Sequence, residues 1–155
     1  MLNDKKIKHV IGWREYISLP EWGIKNLKAK IDTGAKSCSL HVEDIKELDD
    51  NSISFYVVLD RKGKRKKVVA HVERKGHVKS SVGTKTSRWF VSTEIQIGEV
   101  VKTVKLSLIN REYMNFRMLI GRTAIHDDFM VDVAHGYMLK KKKPGRQSTN
   151  KKKSR

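Results

Sequence analysis

The chain has 155 residues, of which 38% are hydrophobic, a formal net charge of +17 and a single cysteine. This length and hydrophobic fraction are enough for one compact domain with its own core. No run approaches the roughly 18 apolar residues of a membrane span, and a lone cysteine excludes an intrachain disulfide and a cysteine-rich metal knuckle.

The positive charge is concentrated at one end of the chain. Nine of the seventeen excess charges lie in residues 140–155, which contain no acidic and no apolar residue. We therefore predict a domain over residues 1–139 and a basic disordered tail over 140–155. The tail is interpreted either as a solubilising extension or as a weak contact with RNA or the ribosome. The first residues lack the apolar core of a signal peptide, so we expect a cytoplasmic protein with no membrane partner.

The first third of the chain alternates between apolar and polar residues, as half-buried strands do. Residues 9–19 predict a strand with a bend or a tight hairpin, and residues 27–31 predict a strand that ends at Asp32-Thr33-Gly34. The alternation begins again at residues 38–40. Aspartate and glycine are both favoured in tight turns, so this part predicts a strand, an acidic turn and a second strand.

The rest of the chain predicts further short strands and one helix. The acidic segment 42–50 is interpreted as a loop or a single helical turn, whereas residues 53–59 and 68–72 predict a hairpin around the basic turn 61–67. Residues 89–97 and 100–109 predict a second hairpin, followed by a segment at 116–122, a short helix at 123–128 and strands at 129–133 and 137–139. Many short alternating strands indicate a small, mostly antiparallel β-barrel.

Four separated blocks of sequence carry a family resemblance. The blocks are Gly12-Trp13-Arg14-Glu15, Asp32-Thr33-Gly34-Ala35 with Leu40-His41, Val78-Lys79-Ser80-Ser81, and residues 110–122 ending in Leu119-Ile120-Gly121-Arg122. Together they resemble the retropepsin-like aspartic proteases, and more closely the bacterial family labelled ATP-dependent zinc proteases. The resemblance covers nearly all of residues 10–139 and implies a small closed antiparallel β-barrel of the acid-protease type with one short helix.

The resemblance implies that Asp32 is the catalytic acid, braced by Thr33, with Gly34 leaving room for substrate. In such a site two carboxylates share one proton and activate a water molecule. The chain has one copy of the motif, so the resemblance predicts a homodimer with the site on its two-fold axis. If the protein is monomeric, another acid must serve, and the nearest candidates are Asp127, Asp128 and Asp132.

The predicted substrate is an acidic, glutamate-rich peptide or protein. Retroviral members have an acid two residues after the motif's glycine, but this chain has Lys36 there, so Arg122 loses its expected partner. Some family members are associated with ATP-grasp ligases that add glutamate to proteins. The resemblance thus predicts a peptidase for peptide or isopeptide bonds, whose flap is the segment 76–88. The candidate substrate-binding residues are Ala35, Lys36, Lys79, Ser80, Ser81, Arg88 and Arg122.

No metal or cofactor is expected. His-Glu-x-x-His and a glycine-rich phosphate loop are both missing from the sequence, and the six histidines are scattered. His41 is the best single candidate for a zinc ligand, although a structural histidine is the favoured interpretation. Two alternatives to catalysis stay open: a basic β-barrel that binds RNA, the ribosome or acidic peptides, and a retropepsin fold that has lost catalysis. Neither gives the Asp32 turn a chemical task.

Overall fold

The structure is a computed structural model that describes residues 7–79, 83, 85–110 and 115–139. Its strands form one large sheet and one two-stranded sheet, and its one α-helix is a single turn, α1 (Arg122–Ile125). In these residues the strands are β1 (His9–Gly12), β2 (Arg14–Leu19), β3 (Ile24–Ile31), β4 (Cys38–Leu48), β5 (Ser52–Val58), β6 (Arg65–His71), β7 (Arg74–Lys79), β8 (Lys85–Ile97), β9 (Val100–Ile109), β10 (Met118–Ile120) and β11 (Phe129–Asp132).

The large sheet closes on itself to form a barrel. Strand β10 pairs in parallel with β3 and antiparallel with β4. The remaining links run from β3 through β2, β8 and β9 back to β4. Most of these pairings are antiparallel, while β4 and β9 are parallel. The predicted closed, mostly antiparallel barrel of the retropepsin type with one short helix is confirmed.

Five strands lie outside the closed ring in the described residues. The hairpin of β5 and β6 continues the sheet beyond β4, and β7 forms a hairpin with β8. Strands β1 and β11 make a separate two-stranded parallel sheet. The β7–β8 hairpin corresponds to the segment predicted as the flap, but its tip lies outside the described residues apart from Gly83.

The core consists of the inward-facing residues of these strands. Alternation decides which residues these are: in β3 Leu27, Ala29 and Ile31 are buried, whereas Lys28 and Lys30 are exposed. Burial of aliphatic side chains supplies the main driving force for such a small barrel. The core therefore follows the pattern predicted for residues 27–31.

Two predicted elements were wrong. The acidic segment 42–50 is not a loop or a helical turn, because β4 continues through it to Leu48 with a bulge at Asp44, where φ is +53°. Residues 137–139 do not form a strand but a turn. The helix covers Arg122–Ile125 rather than residues 123–128. The predicted tail, 140–155, lies outside the described residues.

Candidate active site

Asp32 follows the last residue of β3, at the point where the chain leaves the sheet. Its backbone N–H donates to the carbonyl oxygen of Ile120 at 2.8 Å. Its side-chain Oδ1 accepts a hydrogen bond from the N–H of Gly34 at 3.0 Å. The carboxylate is half-buried, so this turn fixes one of its oxygens and leaves the other for further contacts.

The turn after Asp32 is held by the segment that follows β10. The backbone N–H groups of Arg122 and Thr123 donate to the carbonyl oxygens of Ala35 and Lys36 at 2.8 and 2.9 Å. The turn and the segment after β10 are far apart in the sequence, but these backbone hydrogen bonds join them. The loop from residue 32 to 37 thus has a defined shape, as a catalytic turn requires.

Arg122 also binds the turn through its side chain. Its Nη1 donates to the carbonyl oxygen of Thr33 at 3.0 Å, while the side chain remains exposed. A guanidinium carries five N–H donors, so the other donors are not used by this contact. Arg122 therefore helps to hold the turn, and its binding of a substrate carboxylate stays a prediction.

Cys38 and Gly121 pack beneath the turn. The N–H of Gly121 donates to Sγ of Cys38 at 3.4 Å, and the thiol is completely buried. Burial raises the pKa of the Cys38 thiol, an effect partly offset by this backbone hydrogen bond and by the charge of Lys102. A buried thiol of this kind is a structural group rather than a nucleophile.

The structure brings together six of the residues predicted from the sequence. They lie in the turn and in the segment bound to it, and they are Asp32, Thr33, Gly34, Ala35, Lys36 and Arg122. Thr33, Gly34, Lys36 and Arg122 are exposed.

The other four predicted residues fall in the sequence between Lys79, the last residue of β7, and Arg88 on β8. Arg88 is half-buried on β8, opposite Gly76. Lys79 ends β7 and only its backbone is described, while Ser80 and Ser81 lie outside the described residues. The substrate-binding roles of these four residues stay predictions.

Glu15 is a buried charged residue to which the sequence analysis gave no role. It accepts hydrogen bonds from the backbone N–H groups of Gly12, Met138 and Leu139 at 2.6, 2.9 and 3.0 Å. The carboxylate thus ties the segment after β11 to the bend between β1 and β2. The sequence could have indicated this role, because Glu15 occupies the same inward-facing set of alternate β2 positions as the buried Ile17.

The three alternative carboxylates lie between the end of α1 and the end of β11. Asp127 is exposed and Asp128 and Asp132 are half-buried. Each lies within ion-pair distance of a basic side chain, and the partners are His126, Lys102 and His135, at 3.0, 2.6 and 2.8 Å respectively.

His41, the sequence's best single zinc candidate, is buried in β4. Its Nε2 lies 3.6 Å from Oε2 of Glu43. Within the ranges that the structure describes, no three His, Cys, Asp or Glu side chains converge as a metal site would require.

Comparison with known proteins identifies the family. The family model described as "RimB-like: Retropepsin-like aspartic endopeptidase RimB" matches residues 10–142. The chain belongs to the RimB-like family. All the residues of the Asp32 turn and of the segment that holds it fall within the match.

Relatives of this RimB-like chain carry a different name. It is 36% identical over 134 residues to a "Probable alpha-L-glutamate ligase" of Desulfotalea psychrophila, a match covering 82% of the chain and 28% of the relative. A protein of the same name from Shewanella pealeana is 31% identical over 142 residues, which are 87% of the chain and 31% of the relative. The chain spans about three tenths of the length of these curated relatives.

A solved structure has the same fold. A crystal structure of a Legionella pneumophila protein of unknown function is 30% identical, with a TM-score of 0.71 over 86% of this chain and 100% of that one. Among the residues described for this RimB-like chain, the helical part is too short to span a bilayer.

Proposed function

We propose that this chain is an aspartic-type peptidase that hydrolyses peptide or isopeptide bonds in acidic, glutamate-rich protein segments. The observation that carries the proposal is the Asp32 turn, whose backbone is bound to Ile120 and to the segment after it in a chain of the RimB-like family. A turn fixed in this way presents its carboxylate in one orientation, which general base catalysis requires.

The proposed reaction uses two Asp32 carboxylates that share one proton. Like charges in close contact do not both ionise, so one carboxyl group is protonated and the other is a base. The base takes a proton from water, whose oxygen bonds to the scissile carbonyl carbon, and the acid protonates the carbonyl oxygen. When the gem-diol intermediate collapses, the C–N bond breaks, the leaving nitrogen takes a proton from the protonated carboxyl group, and one hydroxyl of the gem-diol returns its proton to the other carboxylate, so the pair again shares one proton.

The second carboxylate is proposed to come from a second copy of the chain. The surface that would receive it is the β1–β11 sheet, where Val10 and Met130 lie opposite each other and are 47% and 60% exposed. Val133, just beyond β11, is 76% exposed. Neighbouring exposed apolar residues of this kind are typical of contact surfaces, and the active site is incomplete without a partner.

The acidic substrate is supported by charge and by the relatives. Lys36 and Arg122 are exposed beside Asp32, and both can bind carboxylates. The relatives named alpha-L-glutamate ligase contain a segment like this chain within a longer protein, so a substrate rich in glutamate fits the same context. We place the reaction in the cytoplasm, where an unpaired cysteine such as Cys38 is usual.

A set of synthetic peptides tests the substrate class. Purified protein is incubated with a hexaglutamate-containing peptide and with a matched peptide in which glutamine replaces glutamate, and products are read by mass spectrometry. The proposal expects cleavage of the acidic peptide and much slower cleavage of the neutral one. Absence of cleavage, together with tight binding of RNA by the protein without residues 140–155, would favour the non-catalytic nucleic-acid module.

Assembly is tested separately with charged substitutions on exposed valines. Val10→Asp should convert a dimer to monomers in light scattering and abolish peptide cleavage while Asp32 is intact, because an aspartate on that sheet is costly to bury. Val69→Asp on β6, where Val69 is 59% exposed, is the matched control and should remain dimeric and active. A fully active monomer would contradict the two-fold site.

A further inference from the structure

The outer face of β2 and β3 has a row of positive charge. Arg14 on β2 lies directly opposite Lys30 on β3, and Tyr16 lies opposite Lys28. Both lysines are exposed, while Ala29 between them is buried. This face thus combines three cations with an aromatic side chain.

The row leads to Asp32. Lys30 is the penultimate residue of β3 and precedes Asp32 by two residues, about 6.6 Å along an extended chain. On its other side Lys30 pairs with Leu119 of β10, whose neighbour Ile120 binds the backbone of Asp32. The cationic row therefore ends within two residues of Asp32, beside the strand that binds the backbone of Asp32.

Arg14 is held in place before any ligand binds. Its guanidinium lies 4.6 Å from the ring centre of Trp13 and 4.8 Å from that of Tyr137. Tyr137 in turn stacks on Tyr16 at 4.5 Å. Within the part of the chain that the structure describes, Nε of Arg14 is buried and has no hydrogen-bond partner. A guanidinium fixed between two rings loses little freedom when it binds an anion.

The charge of this face is not neutralised by acids in the described ranges. Neither Lys28 nor Lys30 forms an ion pair there. Glu15, the neighbour of Arg14 in the sequence, faces the core and accepts backbone hydrogen bonds. An unpaired cationic surface attracts anionic ligands.

We propose that Arg14, Lys28 and Lys30 form a specificity subsite that binds the carboxylate side chains of an extended acidic peptide as it approaches Asp32. Lys28 and Lys30 are spaced like alternate side chains of an extended peptide, so glutamates two residues apart can bind both. This inference rests on the proposed peptidase function and names residues that the sequence analysis did not assign to substrate.

Binding is measured in the Asp32→Asn variant, so that the result does not depend on cleavage. Fluorescence anisotropy of a labelled hexaglutamate peptide is compared between that variant and versions that also carry Lys30→Met or Lys28→Met, which keep much of the alkyl chain and remove the charge. We expect each to weaken binding about tenfold, the usual effect of losing one charge-assisted hydrogen bond. Lys30→Arg should retain the affinity.

The matched control is Lys46→Met. Lys46 is an exposed lysine of β4, roughly 25 Å along that strand from Cys38, the residue that packs beneath the Asp32 turn. Its replacement should leave peptide binding unchanged. Equal affinities for Lys30→Met and Lys46→Met would overturn the inference, as would no binding of hexaglutamate at all. Displacement of the peptide by RNA at much lower concentration would also overturn it, in favour of a nucleic-acid surface.

The same variants separate this inference from the peptidase proposal. If the wild type binds hexaglutamate through Lys30 but never cleaves it, the subsite stands and the peptidase fails. In an active enzyme, Lys30→Met should lower kcat/KM for the acidic peptide about tenfold and leave the glutamine peptide unaffected. Equal losses on both peptides would contradict a role in specificity.

Discussion

Gly121 lies against the backbone of Ser37, so closely that a Cβ on Gly121 would be 2.4 Å from the Ser37 carbonyl oxygen. No side chain can be placed there unless the loop of residues 32–37 moves. We predict that Gly121→Ala lowers the free energy of unfolding by about 3 kcal/mol, because backbone atoms cannot yield as a side chain can. Urea denaturation measures the change.

The control for Gly121→Ala is Gly76→Ala. A Cβ on Gly76 would meet only the ends of the Arg74 and Phe90 side chains, at 3.1 and 3.2 Å. These side chains can shift, so the loss should stay below about 1 kcal/mol. Similar losses for the two variants would mean that the close approach at Gly121 does not limit the stability of the turn.

The barrel hairpins and the Asp32 turn could be predicted from the sequence because both are local. Residues 27–31 alternate cleanly, and the turn follows at once. The prediction for the acidic segment 42–50 is wrong because the residues that bind this segment are far from it in the sequence. Glu43 and Asp44 both bind Arg65 of β6, at 3.0 and 2.9 Å. Paired with β5, the segment stays extended, and local composition cannot show that pairing.

Glu15 provides a second prediction. Its carboxylate accepts three backbone hydrogen bonds while completely buried. Glu15→Gln keeps the shape but replaces one acceptor oxygen by an NH₂ group, which leaves at least one backbone N–H without a partner. We expect a loss of about 2 kcal/mol in the free energy of unfolding, whereas Glu47→Gln at an exposed position of β4 should cost almost nothing. An unchanged urea midpoint for Glu15→Gln would contradict this account of residues 137–139.

Register explains why the sequence did not indicate the cationic row. Arg14 and Lys30 are separated by the whole of the β2–β3 hairpin and become neighbours only when its register is fixed. That register shifts between Ile17 and Leu19, so counting residues back from the turn at 20–23 does not give the correct pairs. Tyr137 lies beside Arg14 because the segment that follows β11 is bound there, by Glu15 and by the Tyr137 N–H, which donates to the carbonyl oxygen of Arg14 at 2.7 Å.

Asp132 predicts how stability depends on pH. The N–H of Ala134, and next the contact with His135, hold the pKa of Asp132 below its ordinary value of 3.8. A lowered carboxylate pKa adds stability that is fully present above the ordinary value and is lost as the pH falls through the lowered one. The Tm difference between the wild type and Asp132→Asn should therefore be larger at about pH 5 than in stronger acid, and should narrow below about pH 3.8. A difference that widens in acid would contradict this.

Cys38 predicts resistance to thiol reagents. Its thiol is buried and burial raises its pKa, so little reactive thiolate is exposed in the native protein. We expect Ellman's reagent to react slowly with the folded chain. In about 8 M urea, which unfolds most small domains, it should label one thiol per chain promptly. Rapid labelling of the native protein would show that the segment beneath the Asp32 turn opens readily.

The most direct test of the central claim is the rate at which Asp32→Asn cleaves a hexaglutamate peptide, relative to the wild type. Asparagine keeps an oxygen that can accept the Gly34 N–H, so the turn should hold its shape while the ionisable group is lost. The account predicts that turnover falls by about a thousandfold or more, as when a positioned acid–base group is removed. Turnover at the wild-type rate would contradict it, since the carboxylate of Asp32 would then take no part in the reaction.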